Sequence, residues 1–506
     1  MRRWRGVFGD SDLSLVPDRE SFGRGAKTRN AAQSSVVRTV IPAGGLAPVA
    51  AFAALRHRPG GAFLFESVAH DENRDRWTFL GCGGVPVVEW SFGDDHGDPF
   101  DALRDELAAR GRAAFEDAPP FVSGLVGFLS YETAHLIEPR VPVGRSRDGF
   151  PDVLFMRCAA IVAFDHRLDV VHVIVEAATG PSVDPDAAWA EAADEIRAIV
   201  DAVLASPAPA GPAAATAAAT GSVPVEAERP PADYERSVSR AKEYIEAGDC
   251  QQVVISQRFS AELDIDPFAI YEELRLLNPS PYLFYFEHGG RALVGSSPEA
   301  LARIRDGELI VRPIAGTRPR GADPADDERL LAELLADPKE NAEHVMLVDL
   351  ARNDVGRVAK VGTVRVDLFR TVERYSHVMH MVSQVAGRLK PEVDTVDALR
   401  AVFPAGTVTG APKVRAMEII AELEGRGRGP YAGCVGYLGD DGNMDMAIVI
   451  RTLLCAGGSL TVQAGAGIVY NSDPATEQAE TVHKANAILA AVLRAQRHGA
   501  GTGGRR

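Results

Sequence analysis

Two Asp-Pro helix starts, each followed by paired glutamates, constrain this chain more than any other feature. In the first, Asp337 can cap a helix, Pro338 suits its first position, and no further Gly or Pro occurs until Gly356. Glu340 and Glu343 stand three apart, so both carboxylates leave one face. Apolar Val345, Met346, Leu347, Val348 and Leu350 follow. A paired acid beside such a run is costly to bury unless positive charge lies opposite. The second start repeats the device: Asp473 and Pro474, then Glu477 and Glu480, with Lys484 one turn later. Two carboxylate pairs on two helices can hold a hard divalent cation, for which Mg2+ is the best candidate, with water and substrate oxygens completing the shell. The same spacing also describes two solvated acidic helix starts favoured by the macrodipole, and spacing alone does not separate the two.

A length of 506 residues allows two to four average domains or two large ones. The net charge of -16 and the lack of a basic stripe argue against a nucleic-acid partner. No apolar run reaches membrane-spanning length, so no membrane role is expected. The start MRRWRGVFGD lacks the sustained apolar core and small-residue cleavage site of a signal peptide. Cys82, Cys158, Cys250, Cys434 and Cys455 are scattered without CxxC spacing, which fits a reducing cytoplasm without zinc or disulfides.

Patterning suggests an α+β chain: large mixed or antiparallel β-sheets forming a sandwich flanked by helices. Residues 1–45 read as an irregular N-terminal segment and 46–204 as an N-terminal domain with strand-like FLFESV, VPVVEW and VVHVIVEA. The Ala/Pro-rich stretch 205–232 reads as a linker. Residues 233–493 form a second domain, opened by a helix capped at Asp233, and 494–506 a flexible tail.

Three Gly-containing loops stand out: RPIAGTRPRG (312–321), PAGTVTGAPK (404–413) and QAGAGIVY (463–470). The second feeds a helix through Pro412, where free backbone N–H groups bind anions, with Lys413 and Arg415 adding charge. Its spacing is neither that of a Walker loop nor that of a dinucleotide fingerprint. With Arg451 at the end of an apolar strand, these loops can surround a small polyanion. His380, amid apolar residues, is by itself an ordinary core histidine, with a pKa near the usual value of about 6.5. Glu299 in GSSPEAL can cap a turn or, in a dry cleft, act as a general acid. The residues alone therefore reach a Mg2+-dependent enzyme acting on a small carboxylate.

Taken together, SPE (297–299), PIAGTRPRG, ENAEHVMLVDLARNDVGRV (340–358), VMHMVSQV (378–385), PAGTVTGAPKVRAMEII and QAGAGIVYNSDPATEQAETVHKA (463–485) resemble the chorismate-utilising enzymes. The resemblance is strongest to the anthranilate synthase component I group. It implies conversion of chorismate and ammonia to anthranilate and pyruvate, the first committed step of tryptophan biosynthesis. Ammonia would come from a separate glutamine amidotransferase subunit, giving a hetero-oligomer. By motif, Glu340, Glu343, Glu477 and Glu480 would form the Mg2+ site. Gly316, Thr317, Tyr431, Arg451, Ala466, Gly467 and Lys484 would hold chorismate. Glu299 would protonate the leaving hydroxyl, His380 would assist pyruvate loss, and Thr407 would help position the substrate.

Two positions discriminate within the family. Relatives that add water carry a lysine base where this chain has Gln252, and makers of 4-amino-4-deoxychorismate carry a lysine where it has Ala315. The remaining alternatives are a sister aminase, ending at 2-amino-2-deoxyisochorismate or 4-amino-4-deoxychorismate, and a catalytically silent binding protein. The N-terminal half resembles a tryptophan feedback domain. Glu66 and Ser67, with Pro281, Tyr282 and Leu283 and then Val435, Gly436 and Tyr437, fall where the inhibitor would bind. The segment after FLFESV departs from the family pattern.

Overall fold

A computed structural model of the chain describes residues 13–27, 35–67, 76–95, 97–110, 117–146, 148–180, 182–207, 223–262, 264–374 and 378–502. Most of the Ala/Pro-rich stretch, the segment after FLFESV and the last four residues lie outside these.

Helix starts follow local chemistry. Asp98, Asp184, Asp266, Asp323 and Asp337 each precede a proline, and each side chain accepts a main-chain N–H of the first turn. Helix Pro338–Val358 begins where its sequence predicts. Helix Pro231–Glu246 does not: it starts two residues before Asp233, with Pro230 at its cap and no side-chain bond there. Helix Pro474–Thr502 continues past Leu493, so the expected tail is helical through 502. Two stretches of the N-terminal segment expected to be irregular are regular. Arg19–Lys27 is a helix, and Ser35–Pro42 is a strand paired with Val170–Ala177.

The strands build two antiparallel sheets; every strand pairing among the described residues is antiparallel, none parallel. One sheet runs from Ser35–Pro42 through Val170–Ala177, Ala160–Asp165, Trp77–Trp90, Gly61–Glu66, Tyr282–His288, Arg291–Ser297, Thr452–Ala456 and Ser459–Ile468 to Gln252–Glu262. The other joins Trp77–Trp90, Val153–Arg157, Gly124–Leu129, Cys434–Gly439, Met444–Ile448, Ala300–Arg305, Glu308–Val311 and Val378–Arg388. The long strand Trp77–Trp90 belongs to both. It bends at Gly83, whose φ of +68° side-chain-bearing residues rarely adopt.

Both halves of the chain therefore contribute to both sheets. Phe65 pairs with Phe284, and Gly127 with Gly436. The linker separates two stretches of sequence but not two independent cores. Between the sheets, Phe63, Phe79, Phe121, Phe128, Phe284 and Phe286 pack with Val435 and Tyr437. Helices cover the outer faces, where two larger apolar clusters form. The five cysteines are buried and free, and among the described residues no helix is long and apolar enough to cross a membrane.

Candidate active site

The site grows from loops at strand ends and from the two acid-bearing helices. Gly316 lies in the bulged strand Ile314–Pro319 with φ of +73°. A Cβ there would stand 3.2 Å from the Glu340 carboxylate and 3.0 Å from Leu334, so only glycine lets the loop lie this close to the acidic helix. Arg318, two residues on, donates to Glu340 at 2.9 Å and to Asp337 at 2.8 Å. It supplies the positive charge that burial of the first acid demands. The PIAGT loop also presents Thr317, whose hydroxyl meets His380 Nδ1 at 2.9 Å from the neighbouring strand.

Burial sets the proton states. His380 is 6% exposed, and burial, with Arg451 adding to it, pushes its pKa down to about 4. The ring is neutral at pH 7, not poised at the ordinary histidine value the sequence suggested. Glu299 sits between strands Arg291–Ser297 and Ala300–Arg305 and is 8% exposed. Burial raises its carboxyl to about 8, opposed by the Thr407 hydroxyl and the charge of Arg451. It is therefore a protonated acid at neutral pH.

Arg451 has φ of +49°, and its carbonyl accepts the Ser296 N–H at 3.2 Å. Its side chain is reached by solvent yet surrounded by protein, which lowers its pKa despite the counter-effect of Glu299. Among the described residues it has no ion-pair partner. A cation so placed is matched to an incoming anion.

Gln252 Nε2 donates to Glu343 at 3.1 Å, while its buried Oε1 has no hydrogen-bond partner. Glu343 is raised by burial, and further by Glu340 and, from the opposite helix, Glu480. Glu477 is likewise raised by burial and by Glu480, with Lys339 and Lys484 opposing. Glu343 and Glu480 thus lie close enough to interact across the two helices. Among the described residues no three His, Cys, Asp or Glu side chains already stand close enough to chelate a metal. Lys484 Nζ reaches Glu480 at 2.7 Å and the Gly465 carbonyl at 2.9 Å. Strand Ser459–Ile468 brings Ala466 and Gly467 beside it, with Gly467 packed against Gln252 and Gly465 against the Tyr431 hydroxyl.

Sequence reasoning overlooked Arg318 and Lys339 as partners of the acids, although PIAGTRPRG contains the first. It also misread two cations. Lys413 is bound to Asp354 at 2.8 Å, and Arg415 to Asp249 at 2.9 Å and Glu418 at 3.0 Å, so neither is free to meet an anion.

A second cavity, of about 1100 Å³, opens between the sheets. Glu66, Ser67, Pro281, Tyr282, Leu283, Val435, Gly436 and Tyr437 all line it. The Glu66 carboxylate itself is taken by Tyr271 at 2.6 Å and Arg275 at 3.1 Å. In the wall, Arg303 binds Asp445 at 2.8 Å and the Tyr282 hydroxyl at 3.1 Å, and Arg305 binds the Tyr437 hydroxyl at 2.9 Å.

Residues 62–490 match the family described as chorismate binding enzyme. The chain is 42% identical to anthranilate synthase component 1 of Streptomyces coelicolor, over 97% of each chain. It is 44% identical to that of Thermus thermophilus, over 89% of this chain and 96% of the relative. The crystal structure of anthranilate synthase component I from Streptococcus pneumoniae superposes with a TM-score of 0.72 at 34% identity, covering 89% of this chain and 99% of that one. With its sandwich, its carboxylate-bearing helices and this extent of similarity, the chain belongs to the chorismate-binding enzymes.

Proposed function

We propose that the chain is the aminating component of an anthranilate synthase, converting chorismate and ammonia to anthranilate, pyruvate and water. The observation that carries this reading is the trio of Arg451, a cation without an ion-pair partner among the described residues, Glu299, protonated at neutral pH, and His380, neutral at the same pH.

Arg451 anchors a carboxylate of chorismate, helped by Lys484, Tyr431 and the backbone around Gly316 and Ala466–Gly467. Ammonia attacks the ring, the ring double bonds shift, and the C4–O bond breaks. Glu299 gives its proton to the departing hydroxyl, which leaves as water. A proton is then lost from the aminated carbon as the enolpyruvyl ether bond breaks, releasing pyruvate and an aromatic ring. Neutral His380, steadied by Thr317, assists this loss. Gln252 supports amination over hydration: ammonia is already a nucleophile when neutral and needs no lysine base there. Ala315 leaves no amine at the position used by the 4-amino-4-deoxychorismate makers.

The hard oxygens of Glu340, Glu343, Glu477 and Glu480, with the partnerless Gln252 Oε1 nearby, fit Mg2+. When bound, the ion would neutralise the crowded acids and hold a second substrate oxygen. The component name of the relatives supports a separate partner subunit, which we assign as a glutamine amidotransferase delivering ammonia. We further assign the cavity between the sheets as a tryptophan site through which turnover is inhibited. A cavity of mixed aromatic and polar walls suits an aromatic amino acid.

Product analysis tests the reaction. With chorismate, Mg2+ and ammonium, the chain should release pyruvate and ortho-aminobenzoate in equal amounts. An aminated product that retains its enolpyruvyl group would assign a sister aminase instead.

A further inference from the structure

In the N-terminal half, Ser130-Tyr131-Glu132 stands at the end of strand Gly124–Leu129 and reaches the C-terminal half. Glu132 is buried, and its two carboxylate oxygens accept the main-chain N–H groups of Arg428 at 2.6 Å and Gly429 at 2.9 Å. The Tyr131 N–H donates back to the Gly429 carbonyl at 2.8 Å. Three bonds therefore fasten the Arg428–Gly429 backbone to the other half of the chain.

Arg428 is 1% exposed. Its Nη1 donates to the Val408 carbonyl at 2.8 Å, and its Nη2 to the Val254 carbonyl at 2.8 Å and to Glu424 at 2.7 Å. Its Nε donates to the second Glu424 oxygen at 2.9 Å. The guanidinium lies 4.7 Å from the Tyr131 ring centre and 5.6 Å from that of Tyr431. Each of these partners adjoins the site. Val408 follows Thr407, Val254 pairs with Gly467, and Tyr431 lies against Gly465. A buried ion pair is by itself weak evidence for stability. A rigid planar fork that ties the Val408 turn, the Val254 strand and the Glu424 helix end to one another is a device for geometry.

We propose that Arg428, fixed by Glu132, is the positioning residue for the substrate-facing side of the cleft. It sets the Thr407 turn, the Gly467 backbone and Tyr431 relative to one another, so the N-terminal half completes the catalytic site. The kinetic consequence rests on the chorismate reading; the structural one does not.

Glu132→Gln and Arg428→Lys test it. The glutamine turns an N–H toward one of the two backbone donors, and the lysine keeps the charge beside Glu424 without reaching both carbonyls. Glu132→Gln should raise KM for chorismate about tenfold with kcat changed less than about threefold, and on a Tyr431→Phe background it should add less than about twofold. A folded variant with wild-type KM and only a lower Tm would overturn the proposal. So would an equal KM effect on both backgrounds. Hydrogen exchange on the ligand-free protein decides independently of substrate. The Val254 and Thr409 amides, bonded to Thr409 and Gly406 carbonyls, should exchange faster in both variants. Unchanged exchange there would overturn the proposal. If the wild type fails to turn over chorismate, the chorismate reading falls, and the exchange result still decides the role of Arg428.

Discussion

The catalytic cleft and the cavity between the sheets treat charge in opposite ways. In the cleft, polar groups stand incomplete: the buried Gln252 Oε1 has no hydrogen-bond partner, and burial holds Glu299 protonated. In the cavity wall, Arg303, Asp445, Tyr282, Arg305 and Tyr437 satisfy one another. A surface that meets charge only when substrate is present must leave its own groups unpaired, at a cost to stability. A surface that recognises a shape can pair its charges in advance.

The largest effect should come from Glu299→Gln. Removing the proton donor should lower kcat about 10²–10⁴-fold, with KM nearly unchanged. At fixed total ammonium, wild-type turnover rises with pH as ammonium loses its proton to give the nucleophilic ammonia. That rise should level off as Glu299 ionises near pH 8, and turnover should fall only at the higher pH where the ammonium is already mostly deprotonated. The sign for stability agrees. The folded pKa is raised, so the folded state holds an extra proton between the usual carboxylate value and about 8, and stability declines as pH rises through that window. The glutamine variant should lose this decline, which thermal melts across the window will register.

Next comes a paired experiment that can break the comparison itself. Arg451→Gln should lower kcat/KM by about 30- to 1000-fold, the range for truncating one partner of a desolvated charge pair, while leaving Tm level or higher. Arg303→Gln should do the reverse, costing about 2 kcal/mol of unfolding free energy with turnover close to wild type. Equal stability losses at the two sites would remove the distinction.

A smaller effect is expected from the acids. Chelation should abolish turnover and added Mg2+ should restore it. Glu343→Gln or Glu480→Gln should raise the Mg2+ concentration needed about 10- to 100-fold, read by titrating metal against rate. Smallest in turnover is Ser67→Phe, which should leave kcat/KM within about twofold while abolishing inhibition by tryptophan, because a bulky ring occupies the cavity instead. Retained inhibition would move the regulatory site elsewhere.

Much of this was legible in the sequence. The Asp-Pro starts at 337 and 473 depend on neighbours one to three residues away, and both helices begin where expected. The eight residues expected around tryptophan come from three separate stretches, yet all line one cavity. What could not be read was long-range pairing. Nothing local in FLFESV says that it lies beside YLFYFE, so the sequence suggested a linker between domains where the structure shares both sheets. Arg428 was invisible for the same reason, since Tyr131–Glu132, Val254 and Val408 reach it from three distant segments. Lys413 and Arg415 misled because a basic residue at a helix start looks free until its acid arrives from elsewhere in the fold.

The most direct measurement follows anthranilate fluorescence in purified chain supplied with chorismate, Mg2+ and ammonium, beside the Glu299→Gln and Arg451→Gln variants. The account predicts a steady rise for the wild type and its near-complete loss in both variants, each still folded. Chorismate that remains intact with the wild type, or anthranilate formed equally well by the Glu299 variant, would contradict it.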